Sequence, residues 1–239
     1  NSEMVMSMKL IFIDPGHGGT DPGANGHGLA EKDLTLNLAR KVRDYLHRHY
    51  DCDARLSRAQ DKTVSLAQRT NMANGLKAVC FVSIHINAAA DSRANGFESF
   101  VYTTDGAGSK SVALQNQLHR FIAPLWADKG RRDRGKKKAN FHMVREFKGA
   151  AVLLELGFIS NPDDARLLKD DAFLLQNAAA IAEGIAHHLE LTEKDELPVY
   201  RVRVDGEQAG AYSEPDNIVQ AVQRALADDA NNIEIIKKG

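Results

Sequence analysis

The stretch Ala78-Val-Cys-Phe-Val-Ser-Ile-His-Ile-Asn87 constrains this chain most, because it is almost continuously apolar. A strand with one face in water alternates apolar and polar residues; a run like this one needs cover on both faces. Lys9-Leu-Ile-Phe-Ile-Asp14 is a second such run, stopped by Pro15 and glycines, and Ala151 to Leu156 is a third. Between them lie segments of helical period. Leu34, Leu38, Val42, Tyr45 and Leu46 predict a helix to about His49; Val112, Gln115, Leu118, Ile122 and Leu125 predict another. Shorter signals predict a strand at Ala54 to Ser57 and a helix at Ser65 to Asn74. Asn161-Pro-Asp-Asp164 carries a capping side chain, a first-turn proline and early acids, and a last helix follows over about Ala172 to Leu191. Gly96 to Tyr102 alternates like an edge strand, and His142 to Arg145 is a strand candidate. The fold class expected is α/β: a mostly parallel sheet with helices on both faces.

The chain has 239 residues, enough for one large domain and a small one. The large domain is expected over 8–191. Thr192-Glu-Lys-Asp-Glu-Leu-Pro198 is charged, ends in proline and lacks periodicity, so 192–198 reads as a linker. Beyond it, Val199 to Val204 alternates, Asp205-Gly206 is a tight hairpin signal, and Gln208 to Tyr212 is the returning strand. Ser213-Glu-Pro-Asp216 then opens a helix carrying Ile218, Val219, Val222, Ala225 and Leu226, and Ile233 to Ile236 closes a small C-terminal β-β-α-β module over 199–239.

A formal net charge of -1 gives no global pull toward nucleic acid or a membrane surface. No run of apolar residues is long enough to insert across a bilayer. Met8-Lys-Leu-Ile11 reads as a natural start, and Asn1 to Ser7 has neither the basic start nor the apolar segment of a signal peptide. There are two cysteines, Cys52 and Cys80, and Cys80 within its apolar run reads as a buried free thiol rather than part of a disulfide framework.

Four polar groups stand where a core would not place them. His17 lies on the glycine-rich loop after the first strand, at a carboxyl strand end where open α/β sheets bind ligands. Glu31 lies just before the first helix, and His85 and Glu155 interrupt apolar strands. A carboxylate buried in such a strand costs several kcal/mol unless a cation, a metal or a substrate sits beside it. Two histidines and one carboxylate from separate strand ends make a catalytic zinc set, with a second carboxylate left over as general base. Each residue also has an ordinary reading: His17 as a surface loop residue, His85 as a satisfied core histidine, Glu31 as a first-turn helix acid, Glu155 as an ion-pair partner of Arg58 or Arg69. A phosphate-binding glycine loop is disfavoured, since no Gly-Lys-Ser/Thr follows.

Asp14-Pro-Gly-His-Gly-Gly19, Gly28-Leu-Ala-Glu-Lys-Asp33, Ser83-Ile-His-Ile-Asn87 and Glu155-Leu-Gly-Phe-Ile-Ser-Asn161 occur in one order and spacing. In these motifs the chain resembles the zinc-dependent N-acetylmuramoyl-L-alanine amidases of bacterial autolysins, cell-division amidases and phage endolysins, over about Met8 to Leu191. Arg134-Gly135 and Val144-Arg145 also look like that family. The resemblance implies that His17, Glu31 and His85 bind Zn2+, that Glu155 is the catalytic carboxylate, and that peptidoglycan is cut between N-acetylmuramic acid and L-alanine. It leaves Asp14 as either a partner of a histidine ligand or a turn former, and Asn87 as either a substrate contact or a strand-end hydrogen bond. Rival readings are a carboxypeptidase acting on the peptide stem and an inactive wall-binding module or regulator.

The basic stretch Lys129 to Lys138 departs from the family pattern and reads as a solvated loop or as a contact to anionic wall polymers. The apparent lack of a signal peptide and the single appended module favour a phage or prophage endolysin, cytoplasmic until released at lysis; the alternative is a housekeeping autolysin. The C-terminal module resembles half of a sporulation-related repeat domain in topology. Two copies are expected to pair as a homodimer that targets the wall, the alternative being one module docked on its own catalytic domain.

Overall fold

The computed structural model describes residues 8–194, 199–213 and 215–238. The chain divides into two compact units, one ending at Glu193 and one beginning at Lys194. Of the expected linker, 195–198 lie outside the described residues, as do Asn1 to Ser7 and Glu214 of the helix-start signature.

The first unit is built on β1 (Lys9–Pro15), β4 (Cys52–Leu56), β5 (Cys80–Asn87), β6 (Phe97–Val101), β7 (Asp133–Lys138) and β8 (Ala150–Phe158). They form one sheet in the order β4-β1-β5-β8-β6-β7. Pairings are parallel except between β6 and β8. A two-residue ladder joins β2 (Asn25–Gly26) to β3 (Leu29–Ala30) before the first helix.

Helices α1 (Glu31–His49), α3 (Lys110–Ala127) and α6 (Asp171–Leu189) share one core with residues of one sheet face, among them Ile11, Ile13, Val82, Ile84, Val152 and Leu154. The opposite face carries Phe12, Phe81, Ala151 and Leu153, joined by Ala73 of α2 (Leu66–Gly75) and by Met143 and Val144 of α4 (His142–Glu146). Alternation along each strand explains both faces at once, since successive side chains point opposite ways. It also places Asp14, Ser83, His85, Glu155 and Glu98 on the face that α2 and α4 cover, toward the carboxyl ends of β1, β5 and β8. A short helix, α5 (Pro162–Leu168), follows β8, and Asn161 Oδ1 caps it by accepting from the N–H groups of Asp163 and Asp164, each at 3.0 Å.

Three expectations are corrected here. His142 to Arg145 is helical, because Met143 and Val144 tuck down onto Phe81 and Phe147's cluster instead of extending a sheet. Gly96 to Tyr102 supplies an inner strand, β6, because Asp133–Lys138, the larger part of the basic stretch read as a loop, forms β7 and pairs beyond it. Lysines are common on sheet edges, where charge blocks further pairing, so the composition that suggested a loop suits an edge strand.

Both cysteines are free and buried. Cys52 pairs with Lys9 and Cys80 with Ile11, on opposite sides of β1. Two strand spacings, roughly 10 Å, therefore separate them.

The second unit contains β9 (Tyr200–Val204), β10 (Glu207–Tyr212), α7 (Pro215–Ala227) and β11 (Ile233–Lys237), with antiparallel order β10-β9-β11. Asp205 and Gly206 both take positive φ, 49° and 88°, as the tight hairpin turn requires. Val202, Ala221 and Ala225 are buried, whereas Val219, Leu226, Ile235 and Ile236 are exposed.

Candidate active site

The loop after β1 is held by two buried arginines. Arg69 Nη1 donates to Asp14 Oδ1 at 2.7 Å and to the Pro15 carbonyl at 2.6 Å, and its Nη2 donates to the His17 carbonyl at 2.6 Å. Arg58 Nη2 donates to the carbonyls of Gly16 and Lys32 at 2.9 and 2.8 Å. Neither arginine pairs with Glu155. Asp14 accepts from the hydroxyls of Ser57 and Ser83 at 2.6 and 2.8 Å, so its contacts are to Arg69 and two serines; of its two readings, the contact to a histidine is not made. Asp14 acts on His17 through the Arg69 cradle. His17 itself sits at φ 61°, and the glycine before it is required: a Cβ on Gly16 would lie 2.3 Å from the His85 ring.

The structure brings His17, Glu31 and His85 together. Glu31, the first residue of α1, places Oε1 at 3.1 Å from His17 Nε2 and 3.0 Å from His85 Nδ1. The same oxygen accepts from the Ile86 N–H at 3.0 Å, and Oε2 accepts from the Ala24 N–H at 2.9 Å. The two imidazole rings stand 5.0 Å apart, nearly perpendicular. Burial alone would raise the Glu31 carboxyl, but hydrogen bonds from His17 and His85 hold it far below the ordinary carboxylate range. Hydrogen bonding to Glu31 offsets burial at His17 and raises its imidazole. Ligand atoms of the three residues lie within 4.8 Å of one another. Two nitrogens and one ionised carboxylate oxygen, converging at that spacing on a solvent-reached cleft, fit a divalent metal of the zinc type.

Asp21 is a residue that the sequence reading missed. Its Oδ2 lies 2.8 Å from His17 Nδ1, where a carboxylate fixes the ring's tautomer and leaves Nε2 free to serve as a ligand. The available signal was its place four residues beyond His17 on the same glycine-rich loop. A cleft of about 220 Å³ opens beside His17 and His85, bordered by Asp21, Leu66, Arg69 and Met143.

Glu155 sits beside His85 in the β5–β8 register and beside Glu98 in the β6–β8 register. Its Oε2 is buried without a hydrogen-bond partner among the described residues. Burial first, then the negative charges of Glu31 and Glu98, push its carboxyl well above the ordinary range. Glu98, also missed, is buried, and Asn87 Nδ2 donates to its Oε1 at 2.6 Å. Arg134 Nε donates to Glu98 Oε2 at 2.9 Å, and Lys137 Nζ is hydrogen-bonded to that same oxygen. The reasoning that singled out Glu155, a carboxylate interrupting an apolar strand, applies equally to Gly96-Phe-Glu-Ser-Phe-Val101. Reading that strand as an edge hid it.

Gly157, just past Glu155, has φ 83°, and a Cβ there would meet the Trp126 ring at 2.5 Å. With Asn161 capping α5, this accounts for much of the motif after Glu155 as the scaffold that ends β8.

The doubly covered α/β sheet thus carries, at its carboxyl edge, a His-Glu-His cluster able to hold a divalent metal and, beside it, a separate buried carboxylate with raised proton affinity. The chain belongs to the N-acetylmuramoyl-L-alanine amidase family, whose pattern matches residues 11–187. A sporulation-specific N-acetylmuramoyl-L-alanine amidase of Bacillus subtilis (strain 168) is 39% identical over 233 residues, 96% of this chain and 86% of that protein. An endolysin of Bacillus phage SPP1 is 41% identical over 78% of this chain and 68% of its own length. The solved catalytic domain of CwlV, an N-acetylmuramoyl-L-alanine amidase from Bacillus (Paenibacillus) polymyxa var. colistinus, aligns with TM-score 0.72 and 37% identity, covering 77% of this chain and all of that one.

Proposed function

We propose that this enzyme hydrolyses the amide between N-acetylmuramic acid and L-alanine in peptidoglycan, with zinc held by His17, Glu31 and His85 and with Glu155 carrying the proton. The observation that supports it most is the bare, buried Oε2 of Glu155 beside His85, a carboxylate with proton affinity and nothing yet to bond. His17, Glu31 and His85 would hold the zinc, which when bound would supply a Lewis acid and lower the pKa of water to about 7. Glu155 takes a proton from the attacking water and returns it to the departing alanine nitrogen, a poor leaving group without it. Asp21 keeps the His17 ring oriented through Nδ1, and the Arg58 and Arg69 cradle holds the His17 loop while the proton moves.

Mass spectrometry of digested peptidoglycan tests the bond: new L-alanine amino groups support the amidase, whereas freed D-alanine means a stem carboxypeptidase. Unchanged turbidity of purified walls would leave an inactive binding module. Chelation should abolish activity and added zinc restore it. His85→Ala should lose about one equivalent of bound metal, and full metal content in that variant would sink the ligand assignment.

A host autolysin role is favoured over a phage lysin. The match to the sporulation amidase extends over 96% of the chain and so into the C-terminal unit, while that to the endolysin covers 78%. Transcription only from the late operon of an induced prophage would reverse this choice. The C-terminal unit is proposed to pair across two chains and to target the wall, since its edge strands β10 and β11 carry unpaired backbone groups. A full-length protein that sediments as a monomer refutes the pairing.

A further inference from the structure

The edge strand β7 supplies two cations to one carboxylate. Arg134 and Lys137 both bond Glu98 Oε2, which leaves one positive charge unbalanced in this group. Arg134 is the more constrained of the two. Its Nε is fixed by Glu98 at 2.9 Å, and its guanidinium lies over the Phe158 ring at 4.7 Å. Among the described residues nothing bonds its two terminal nitrogens. A planar fork clamped at one end and along one face, with its outer N–H groups free, is organised in advance for a carboxylate.

Its place relative to the chemistry is set by the sheet. His85 and Glu155 are register partners, Glu155 and Glu98 are register partners, and β7 lies next beyond β6. From Glu155 to β7 is two strand spacings, about 10 Å before side chains shorten the gap. That is within reach of two residues of extended peptide at about 3.5 Å each. A substrate whose scissile amide sits at Glu155 extends one of its halves toward β7. The glycan half cannot supply an anion nearby, because the muramic acid carboxyl is consumed in the amide being cut. The stem peptide can: a γ-linked acidic residue after the first alanine keeps a free carboxylate.

We propose that Arg134 is a specificity-determining residue whose free fork binds the carboxylate of the second stem residue, so that the peptide half of the substrate lies across β6 and β7. This rests on the amidase reading above. It assigns to part of the basic stretch a role in reading one carboxylate, distinct from attraction to wall polymers.

The test uses the full-length zinc enzyme and two soluble muramoyl peptides that differ at one group, the second-residue carboxylate being free in one and amidated in the other. Wild type should favour the free acid by about 10- to 100-fold in kcat/KM, mostly through KM, the scale of a lost charged hydrogen bond. Arg134→Lys keeps a charge for Glu98 but loses the fork, and should abolish most of that preference; Arg134→Gln should do the same. Lys137→Ala removes the second cation beside Glu98 but keeps the fork, so it should lower the preference for the free acid far less than either Arg134 variant; an equal loss of preference would assign the recognition to net charge and overturn the role of the fork. Calorimetry with the released stem peptide and its amide gives the same comparison without turnover. Equal cleavage of both peptides by wild type, or a preference that survives both Arg134 variants, overturns the inference while leaving the amidase intact. Failure of wild type to cut either peptide overturns the amidase reading as well.

Discussion

The two units of this chain handle polar groups in opposite ways. In the first, charge goes inward: Asp14, Glu31, Arg58, Arg69 and Glu98 are all buried, and each is matched by hydrogen bonds. In the second, the few buried side chains are small and apolar, while Val219, Leu226, Ile235 and Ile236 face out. A sheet with two covered faces can hold an ionic network in its interior because apolar packing elsewhere offsets the desolvation. A three-stranded sheet with one helix has no such reserve and sits below the size that usually folds unaided. Function that needs strained or dehydrated groups therefore belongs to the large unit, while the small one leaves apolar side chains at its surface.

The largest effect should come from Glu155, whose buried Oε2 has no hydrogen-bond partner among the described residues. Glu155→Gln should retain metal and fold yet lose about 10²- to 10⁴-fold in turnover, measured on soluble fragments. An active variant would mean that the proton carrier lies elsewhere. Next is the cradle. Asp14→Ala leaves Arg69 buried beside nothing anionic at that point, and should cost about 3–5 kcal/mol of stability. That is a fall of roughly 10 °C in the melting of the first unit. A loss of a degree or two would show that the inward charges are better solvated than their burial implies.

A matched pair of valines compares the units directly, since Val82 and Val202 are both fully buried. Either valine changed to Ala should cost roughly 1–3 kcal/mol. In the first unit that shifts the calorimetric transition by a few degrees. In the second it should erase the transition of the small unit and leave the large one alone. Equal shifts in both would abolish the contrast in reserve.

The smallest effect is on stability with pH. Burial holds the Glu155 carboxyl above its ordinary pKa, so its contribution to folding is favourable at low pH. It is lost as pH rises through the ordinary range near 4.3 and on through the raised folded value. In metal-free protein, Glu155→Gln should therefore melt a few degrees above wild type at pH 7, with the gap closing below about pH 4. A gap that widens on acidification would mean that Glu155 is stabilised as the anion.

Much of the fold was legible because burial on two faces leaves a strong signature. The runs ending at Asp14, Asn87 and Leu156 could only be inner strands of a covered sheet. The positions of His17, Glu31, His85 and Glu155 were legible for the converse reason, as polar residues where that burial had no use for them. What escaped was set by pairing across the chain. Nothing local marks Lys136 or Lys137 as strand residues; β7 exists because β6 offers an edge. Glu98 disappeared with that error, and Asp21 was one acid among several in a loop. The helix at His142 was misread since five residues are too few to display a period.

The cysteines bear on how such an enzyme keeps its fold. Cys80 is enclosed, and burial pushes its thiol up to about 12, so almost none of the reactive thiolate exists at neutral pH. Cys52 sits across β1 from it, farther away than any disulfide spans. A disulfide between the two cannot form while the sheet is intact. A change in the redox poise of the surroundings therefore forms no disulfide between them.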